Sequence, residues 1–148
     1  MYIFDLDQTL ADIKHRIHHI LKEKPDWDSF YKEVLNDTPI EDNCKLIRDL
    51  EIMDEVVILT GRSEQTLKDT QKWLNKNKII YDYLIMREVG DHRPDHIVKP
   101  ELLNKFLLKY NKYKEDVKVI FEDKKSMVDM WRALGYTCHQ VREGNYDL

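Results

Sequence analysis

The sequence has 148 residues and a mass of 17.9 kDa, a length that fits one compact domain with its own hydrophobic core. Charged residues make up 35% of it, and 28 acidic against 24 basic side chains give a formal net charge of −4. This balance argues against a dedicated binder of duplex DNA, since such proteins normally carry a basic excess. No apolar run reaches the length of a membrane span, so we expect a cytoplasmic protein.

Glycine and cysteine are scarce in this sequence. The four glycines are Gly61, Gly90, Gly135 and Gly144. No two lie closer than nine residues, which excludes the glycine-rich fingerprint of dinucleotide-binding proteins and the Walker phosphate loop. Cys44 and Cys138 are far apart and form no zinc-binding or redox motif, which suits a reducing compartment. A protein of this composition that handles phosphate must use another device.

Five short apolar segments predict strands. From the N-terminus they are Tyr2–Phe4, Val56–Leu59, Tyr83–Met86, Val117–Phe121 and Tyr136–Val141. The segments between them show helical periodicity, with apolar residues at Ile13, Ile17, Ile20 and Leu21; Leu46, Ile47 and Leu50; Leu67 and Leu74; Leu103, Phe106, Leu107 and Tyr110; Met127, Met130, Trp131 and Leu134. Alternating strands and helices predict an α/β fold, in which a parallel sheet of about five strands lies between two layers of helices.

Local signals predict the ends of several helices and one insert. Ser63 is a candidate N-cap, Pro100 suits the first position of a helix, and Gly135 is placed to end one. The connection after the first strand is the longest, and we expect it to hold a helical, cap-like insert at about residues 12–43. No linker is apparent, so we predict one domain over residues 1–148.

Polar residues follow four of the predicted strands. These groups are Asp5–Thr9, Thr60–Arg62, the residues from Arg87 onward, and Glu122–Lys125. Because ligands of open parallel sheets bind beyond the carboxyl ends of the strands, we expect these side chains to lie together. Asp5 and Asp7 are two residues apart and should point to the same side. Carboxylates gathered in this way repel one another unless a cation lies among them, and oxygen ligands favour Mg²⁺.

A metal ion and a free carboxylate are the groups that phosphoryl transfer needs. One carboxylate attacks phosphorus while the metal offsets charge on the transferring group. A second aspartate protonates the leaving oxygen and then activates water. Taken alone, the pattern of Asp5, Asp7 and Thr9 is equally compatible with an Asx-rich turn after a strand. Its occurrence with polar residues at the other strand ends favours the catalytic interpretation.

The ordered motifs resemble those of the haloacid-dehalogenase superfamily of phosphotransferases, whose fold is of the three-layer Rossmann-like type. The motifs are Ile3–Leu10, Val57–Arg62, Lys99 and Val119–Asp123. The resemblance implies that Asp5 is the nucleophile, which becomes an aspartyl-phosphate, and that Asp7 is the general acid and base. It also implies that Thr60 and Lys99 bind the phosphoryl oxygens. A helix beginning at Pro100 would place Lys99 at its positive end, beside the phosphate.

The same resemblance implies a Mg²⁺ site. Its ligands would be Asp5, the backbone carbonyl of Asp7, and Asp123. Glu122 would either contact the metal as well or lie behind the ligands. Glu122 replaces the first aspartate of an Asp-Asp pair, and its extra methylene leaves both positions open. Gln8 stands where many members have glycine, and Thr60 replaces serine while keeping the hydroxyl. None of these departures removes a residue that the mechanism needs.

A narrower resemblance covers nearly the whole chain and is to the 3′-phosphatase domains of phage polynucleotide kinase/phosphatases. The similar stretches are Asp12–Arg16, Thr60–Glu64, Met86–Arg93, Asp95–Lys99, Met130–Gly135 and Cys138–Val141. It implies that Arg16 and Arg62 contact the substrate or its phosphate and that Asp95 supports the site. His96 stands where the phage proteins have an acid, and the insert beyond Arg16 is the least similar part. The kinase half is absent, so we expect a stand-alone phosphatase.

Three further groups have alternative interpretations. Arg16 and its basic neighbours form either a face for an anionic substrate or a solvated helix face, and the histidines among them could form a metal trio of His15, His18 and His19. Arg93, after the third strand, either faces phosphate or forms surface ion pairs with nearby acids. An aromatic group either packs the insert onto the sheet or stacks on a nucleobase, and its members are Trp27, Phe30 and Tyr31.

The sequence therefore predicts a Mg²⁺-dependent phosphomonoesterase that acts through an aspartyl-phosphate. The expected substrate is a nucleic acid end with a 3′-phosphate, with 2′,3′-cyclic phosphate ends as an extension. One alternative is a phosphatase of free nucleotides. Another is a catalytically silent module that binds nucleic acid ends, although a pure binder has no need to gather repelling carboxylates at a phosphate site.

Overall fold

Five parallel strands form the central sheet of the protein. The structure is a computed structural model that describes residues 1–144. The strands of the sheet are β1 (Tyr2–Phe4), β4 (Val56–Ser63), β5 (Tyr83–Arg87), β6 (Val119–Lys124) and β7 (Cys138–Gly144). Their order is β5-β4-β1-β6-β7. Two shorter strands, β2 (Ala11–Asp12) and β3 (Thr38–Pro39), pair antiparallel outside this sheet.

Helices cover both faces of the sheet, and the predicted α/β fold is confirmed. They are α1 (Lys14–Ile17), α2 (Trp27–Lys32), α3 (Glu41–Glu51), α4 (Leu67–Lys76), α5 (Asp95–Lys109) and α6 (Lys125–Ala133). Neighbouring residues of a strand point to opposite faces. Phe4 accordingly belongs to the core on one face with Trp73 of α4, and Ile3 to the core on the other with Trp131 of α6. Within residues 1–144, no helix has the length and apolar character that crossing a membrane requires.

Local signals were correct at two helix ends and wrong at a third. The Ser63 side chain accepts a hydrogen bond from the Gln65 amide and caps the turn that leads into α4. Gly135 adopts a φ of +87° just after α6, a conformation that glycine tolerates well. The prediction that a helix begins at Pro100 was wrong, because α5 already begins at Asp95 and contains Pro100. Lys99 therefore lies inside the helix, away from its N-terminus.

The insert, residues 12–43, is less helical than the sequence predicted. The periodic segment from Ile13 to Leu21 forms only the single turn of α1. Leu21 is 66% exposed, so the last apolar position of that pattern has no core to pack against. The pairing of β2 with β3 closes the base of the insert, with Ala11 opposite Pro39. This pairing returns the chain to the edge of the sheet before α3 begins.

The carboxyl ends of three strands meet at one edge of the sheet. β1 lies between β4 and β6, and Phe4 is in register with Ile58 on one side and Phe121 on the other. The residues that follow Phe4 and Phe121 therefore emerge side by side. The predicted functional residues of the first and fourth motifs are brought together in this way.

Candidate active site

Three buried carboxylates lie together at the ends of β1 and β6. We call Asp5, Glu122 and Asp123 the carboxylate cluster. Each can offer an oxygen that lies within 4.8 Å of the oxygens offered by the other two. The Asp5 amide donates a hydrogen bond of 3.0 Å to the Phe121 carbonyl, which holds the two strand ends together. The pairing of β1 with β6 thus brings three carboxylates together in a region that little solvent reaches.

Lys99 reaches the cluster from the second turn of α5. Its buried ammonium lies 2.6 Å from Asp5 Oδ1 and 2.9 Å from Glu122 Oε1. Burial lowers the pKa of Lys99, but Asp5 and Glu122 outweigh that effect and raise it well above its usual value. Lys99 is therefore a permanent cation beside Asp5, the predicted nucleophile.

One ammonium does not neutralise the carboxylate cluster. Burial, followed by the charges of Glu122 and Asp123, raises the pKa of Asp5 well above its usual value in spite of Lys99. Burial also raises the pKa of Glu122. Oxygen-only donors of this charge suit a hard divalent cation such as Mg²⁺. The residues present therefore fit a metal site, and we take Asp5 and Asp123 as its side-chain ligands.

Glu122 and Thr9 fix the positions of the cluster. Glu122 Oε1 accepts a hydrogen bond from Trp131 Nε1 at 3.1 Å as well as from Lys99. The Thr9 hydroxyl donates to Asp5 Oδ2 at 2.9 Å. Thr9 was not among the predicted site residues, although it belongs to the first motif and that motif could have identified it. Thr9 thus orients the carboxylate that we expect to attack phosphorus, and Glu122 holds Lys99 beside it.

Asp7 lies beside two arginines. Its Oδ1 accepts hydrogen bonds from Arg62 Nη2 at 2.6 Å and Arg62 Nε at 2.8 Å, and Arg16 Nη2 is 3.4 Å away. Burial works to raise the pKa of Asp7, but the charges of Arg62 and Arg16 exceed it and the pKa is lowered. Asp7 is therefore ionised here. Its side chain is 27% exposed, so it remains accessible from the cavity described below.

Asp37 holds both arginines and was missed by the sequence analysis. It accepts hydrogen bonds from Arg16 Nε at 2.7 Å and from Arg62 Nη2 at 2.7 Å, and its side chain is fully buried. His15 Nε2 lies 2.8 Å from the same carboxylate. We call Asp7, Arg16, Asp37 and Arg62 the arginine cluster. No local signal identifies Asp37, because its contacts depend on the return of the chain along β3.

Thr60 and Asp95 support the backbone around the second motif. Thr60 is buried, and its hydroxyl accepts a hydrogen bond of 3.1 Å from the Arg62 amide. Asp95 pairs with Arg87, which also donates a 2.8 Å hydrogen bond to the Gly61 carbonyl. A Cβ atom on Gly61 would lie 2.9 Å from Asp95 Cγ, so a side chain at position 61 would displace this carboxylate. Asp95 is thus placed to hold Arg87 against β4.

Two other predicted groups form ion pairs. Arg93 is half-exposed and lies 2.9 Å from Asp91 Oδ2 and 2.7 Å from Glu101 Oε2. His19 Nε2 lies 3.2 Å from Glu33 Oε1. Within the described part of the chain, the alternative of a histidine metal trio is not supported, because the group that could hold a metal ion is the carboxylate cluster.

A cavity of about 1000 Å³ joins these groups. The predicted site residues that line it are Asp5, Asp7, Arg16, Arg62, Arg93, Asp95, Lys99, Glu122 and Asp123, whereas Thr60 lies behind the wall. The insert contributes three aromatic residues to the lining, Trp27, Phe30 and Tyr31. The fold therefore brings residues from all four motifs to one open space.

The comparisons with known proteins identify the family and the fold. The family model "Polynucleotide kinase PNKP phosphatase domain" matches residues 1–146. A chain in the structure of the Pnkp1/Rnl/Hen1 complex is 28% identical, with a TM-score of 0.76 over 98% of this chain and 46% of that one. A haloacid dehalogenase-like hydrolase from Streptococcus pneumoniae is 18% identical, with a TM-score of 0.70 over 93% of this chain and 81% of that one, and shares the fold.

One curated relative is viral and much longer. It comes from Autographa californica nuclear polyhedrosis virus and carries the provisional name of bifunctional polynucleotide kinase/RNA ligase. It is 28% identical over 133 residues, which is 88% of this chain and 17% of the viral protein. The chain thus spans less than half the length of this relative and of the matched chain in the Pnkp1/Rnl/Hen1 complex.

Proposed function

Because the chain belongs to the polynucleotide kinase PNKP phosphatase domain family and is a phosphatase of the haloacid-dehalogenase superfamily, we propose that it removes the 3′-phosphate from nucleic acid ends. We also propose that the reaction requires Mg²⁺ and passes through an aspartyl-phosphate. The observation that carries the proposal is the convergence of the carboxylate cluster and Lys99 at one edge of the sheet.

The carboxylate cluster is the proposed metal site. Asp5 and Asp123 would hold Mg²⁺ together with the backbone carbonyl of Asp7, and Glu122 would stand behind them because Lys99 and Trp131 already occupy its Oε1. Bound Mg²⁺ offsets negative charge on the transferring phosphoryl group. The cost of burying three carboxylates supports this assignment, since a divalent cation relieves their repulsion.

Asp5 and Asp7 divide the covalent steps between them. In the first step, a carboxylate oxygen of Asp5 forms a bond to phosphorus while the bond to the substrate 3′-oxygen breaks, and Asp7 gives that oxygen a proton. In the second step, Asp7 takes a proton from water, which attacks the aspartyl-phosphate and releases inorganic phosphate with Asp5 restored. The ionised Asp7 described above is ready for this second step.

The first step needs a proton on Asp7, and Arg62 supports a way to provide it. Arg62 holds the pKa of Asp7 down through two short hydrogen bonds. A dianionic phosphate that draws Arg62 toward itself would weaken those bonds and favour protonation of Asp7. Lys99 remains a proposed partner of the phosphoryl oxygens, whereas Thr60 would first have to become accessible from the cavity, because it is buried and does not line it. Arg16 would act from behind Arg62, because its guanidinium is completely buried.

Arg93 and Asp95 have more distant proposed roles. Arg93 would have to leave Asp91 and Glu101 before it could contact a substrate. Asp95 would act through Arg87, which it holds beside the Gly61 carbonyl. Both residues line the cavity, so both are proposed to shape the space that receives the nucleic acid end.

The test compares phosphate release from four substrates. They are a 3′-phosphorylated oligonucleotide, the same oligonucleotide with a 2′,3′-cyclic phosphate, a nucleoside 3′-monophosphate and p-nitrophenyl phosphate. We expect the highest kcat/KM on the 3′-phosphorylated oligonucleotide, with activity lost in chelator and restored by Mg²⁺. Release from the monophosphate alone would instead establish a nucleotidase, and no release from any substrate would overturn the enzymatic assignment.

Metal binding can be measured without activity. Titration calorimetry with Mg²⁺ should detect binding to the wild-type protein and lose it in Asp123→Asn. Asp49→Asn is the matched control, since Asp49 is an exposed carboxylate on α3, away from the cavity. Equal Mg²⁺ affinity in the wild type and Asp123→Asn would contradict the proposed ligand set.

A further inference from the structure

Three aromatic residues of the insert differ sharply in burial. Phe30 is 7% exposed and belongs to the core, whereas Trp27 is 48% exposed. Tyr31 lies between these extremes. All three line the cavity that also contains Asp5 and Asp7. Packing of the insert onto the sheet therefore accounts for Phe30 and leaves the exposure of Trp27 unexplained.

Phe30 has structural partners around its ring. The Arg16 guanidinium carbon lies 4.2 Å from the ring centroid. The Trp27 ring meets Phe30 edge to face, with centroids 5.7 Å apart and planes at 88°. Phe30 thus packs against the Trp27 ring, while Trp27 as a residue remains 48% exposed. This support reduces the freedom that Trp27 would lose on binding a ligand.

The backbone at Trp27 is also held in place. Trp27 is the first residue of α2, and Asp26 caps that helix through hydrogen bonds of 3.0 Å to the Ser29 amide and 2.7 Å to the Ser29 hydroxyl. Tyr31, one turn later, lies at a centroid distance of 6.0 Å from Trp27, with planes inclined at 34°. Together they form an aromatic surface of fixed orientation at the side of the cavity.

Two cations of the cavity lining, Arg87 at the end of β5 and Arg93 in the segment that follows, already have acidic partners. Arg87 pairs with Asp95, and Arg93 pairs with Asp91 and Glu101. These pairs weaken the attraction of the rim for a second phosphate. An exposed indole stacks well on a flat, uncharged ring. Nucleobases are such rings, and they stack on aromatic side chains whatever the base sequence.

We propose that Trp27, supported by Phe30 and flanked by Tyr31, stacks on the nucleobase of the nucleotide whose phosphate is removed. The inference rests on the proposed function and deepens it, because it names the part of the substrate that the insert recognises. Lys99 and the carboxylate cluster take the phosphate, and the aromatic surface takes the base across the same cavity. Any nucleotide with a base is accepted, whereas a phosphate ester without one loses this contact.

The experiment measures how much the base contributes to catalysis. Two 3′-phosphorylated oligonucleotides differ only in whether the terminal nucleotide carries a base or is abasic. In the wild type, kcat/KM should be roughly tenfold higher with the base, and Trp27→Ala should remove most of that ratio through KM. Trp27→Phe should retain most of it. Tyr113→Ala is the control, since Tyr113 is an aromatic residue, 70% exposed, outside the cavity lining.

The outcomes separate this inference from the proposed function. In Trp27→Ala, an equal fall in kcat/KM on both oligonucleotides would leave their ratio unchanged. That result would assign Trp27 a structural role and overturn the inference, as would wild-type kcat/KM on both. Fluorescence gives a readout that is independent of turnover, because Trp73 and Trp131 are fully buried and Trp27 is exposed. A nucleoside 3′-monophosphate should quench the fluorescence of Asp5→Asn, and the abasic sugar phosphate should not. Quenching without hydrolysis by the wild type would refute the proposed function alone, and absence of quenching would refute the stacking.

Discussion

The two charged groups around the cavity are balanced in different ways. Within residues 1–144, the contacts of the carboxylate cluster set three acids against the ammonium of Lys99, and these four groups carry a formal charge of −2. The arginine cluster places two guanidinium groups, Arg16 and Arg62, against the two carboxylates of Asp7 and Asp37, which leaves none. Both groups are largely buried, so neither can rely on water to screen its charges.

This difference distinguishes the residues proposed to carry out the reaction from the residues that hold them in place. The excess negative charge of the carboxylate cluster is what the proposed divalent cation would offset. The arginine cluster is complete within the chain, and it ties the insert to β4 through Arg62 and Asp37. We therefore expect substitutions in the first group to act on turnover and substitutions in the second to act on folding.

The largest expected effect is the loss of turnover in Asp5→Asn. The amide keeps the shape of the side chain but cannot attack phosphorus, so kcat should fall by about 10⁴-fold or more. The melting temperature in chelator should stay the same or rise, because one of three repelling charges is removed. Phosphate release and thermal unfolding measure the two effects. Retained turnover would refute the assignment of Asp5 as the nucleophile.

The next effect is on stability, in Asp37→Asn. Removal of this charge leaves Arg16 and Arg62 buried with an excess positive charge, and breaking such a buried pair costs about 3–5 kcal/mol. Urea unfolding should show a corresponding fall in the free energy of unfolding. Asp28→Asn, an exposed change in the same insert, should shift it by less than about 0.5 kcal/mol. Equal stability of the two variants would contradict the role of the arginine cluster in folding.

A smaller effect concerns the pH dependence of stability in chelator. Because the pKa of Asp5 is raised by burial and by Glu122 and Asp123, the folded protein binds this proton more tightly than the unfolded chain does. The contribution of Asp5 to stability is thus fully present below about pH 4 and is lost as the pH rises through the raised pKa. Relative to Asp5→Asn, wild-type protein should lose stability as the pH rises.

Magnesium provides the control for that prediction. Saturating Mg²⁺ stabilises the ionised form of the cluster, so the pH dependence of the difference between wild type and Asp5→Asn should shrink or reverse sign. Urea unfolding at several pH values, with chelator and with Mg²⁺, gives both curves. A difference that is independent of pH in chelator would mean that Asp5 keeps an ordinary pKa.

The smallest effect is expected for Arg93→Ala. Arg93 is half-exposed, and exposed ion pairs such as those with Asp91 and Glu101 contribute about 0–1 kcal/mol. The free energy of unfolding should change by no more than this, and KM by less than about fivefold. A larger rise in KM with unchanged stability would show that Arg93 leaves its partners to contact the substrate.

Local patterns predicted the strands and the carboxylate cluster well. The end of an apolar strand is visible in the sequence at Phe4 and Phe121, and parallel pairing then brings Asp5 and Asp123 together without further information. Lys99 was also identified, although the helix around it was placed wrongly. Pro100 is tolerated inside α5, and Asp95 begins that helix after Pro94. A proline signal at the start of a helix competes here with tertiary packing of Val98 and Leu103 in the core.

The contacts within the arginine cluster could not be predicted from local sequence signals. Arg16 and Arg62 were predicted to meet the substrate, but their shared partner Asp37 is 21 and 25 residues away from them along the chain. That contact exists because two-residue strands, β2 and β3, close the insert, and strands so short have no recognisable periodicity. The split among the aromatic residues, with Phe30 buried and Trp27 exposed, depends on the same packing.

Gly61 has a consequence for how this sequence can diverge. Its missing side chain leaves the space that the Asp95 carboxylate occupies, and an added Cβ would meet Asp95 side-chain atoms at 2.9 to 3.0 Å. The side chains at positions 61 and 95 therefore compete for one small volume, so substitutions at the two positions are not independent. A larger residue at 61 would push the Asp95 carboxylate out of this space, which would release Arg87 from its partner. A homologue with glycine at position 61 and aspartate at position 95 keeps a single linked arrangement, in which each residue depends on the other.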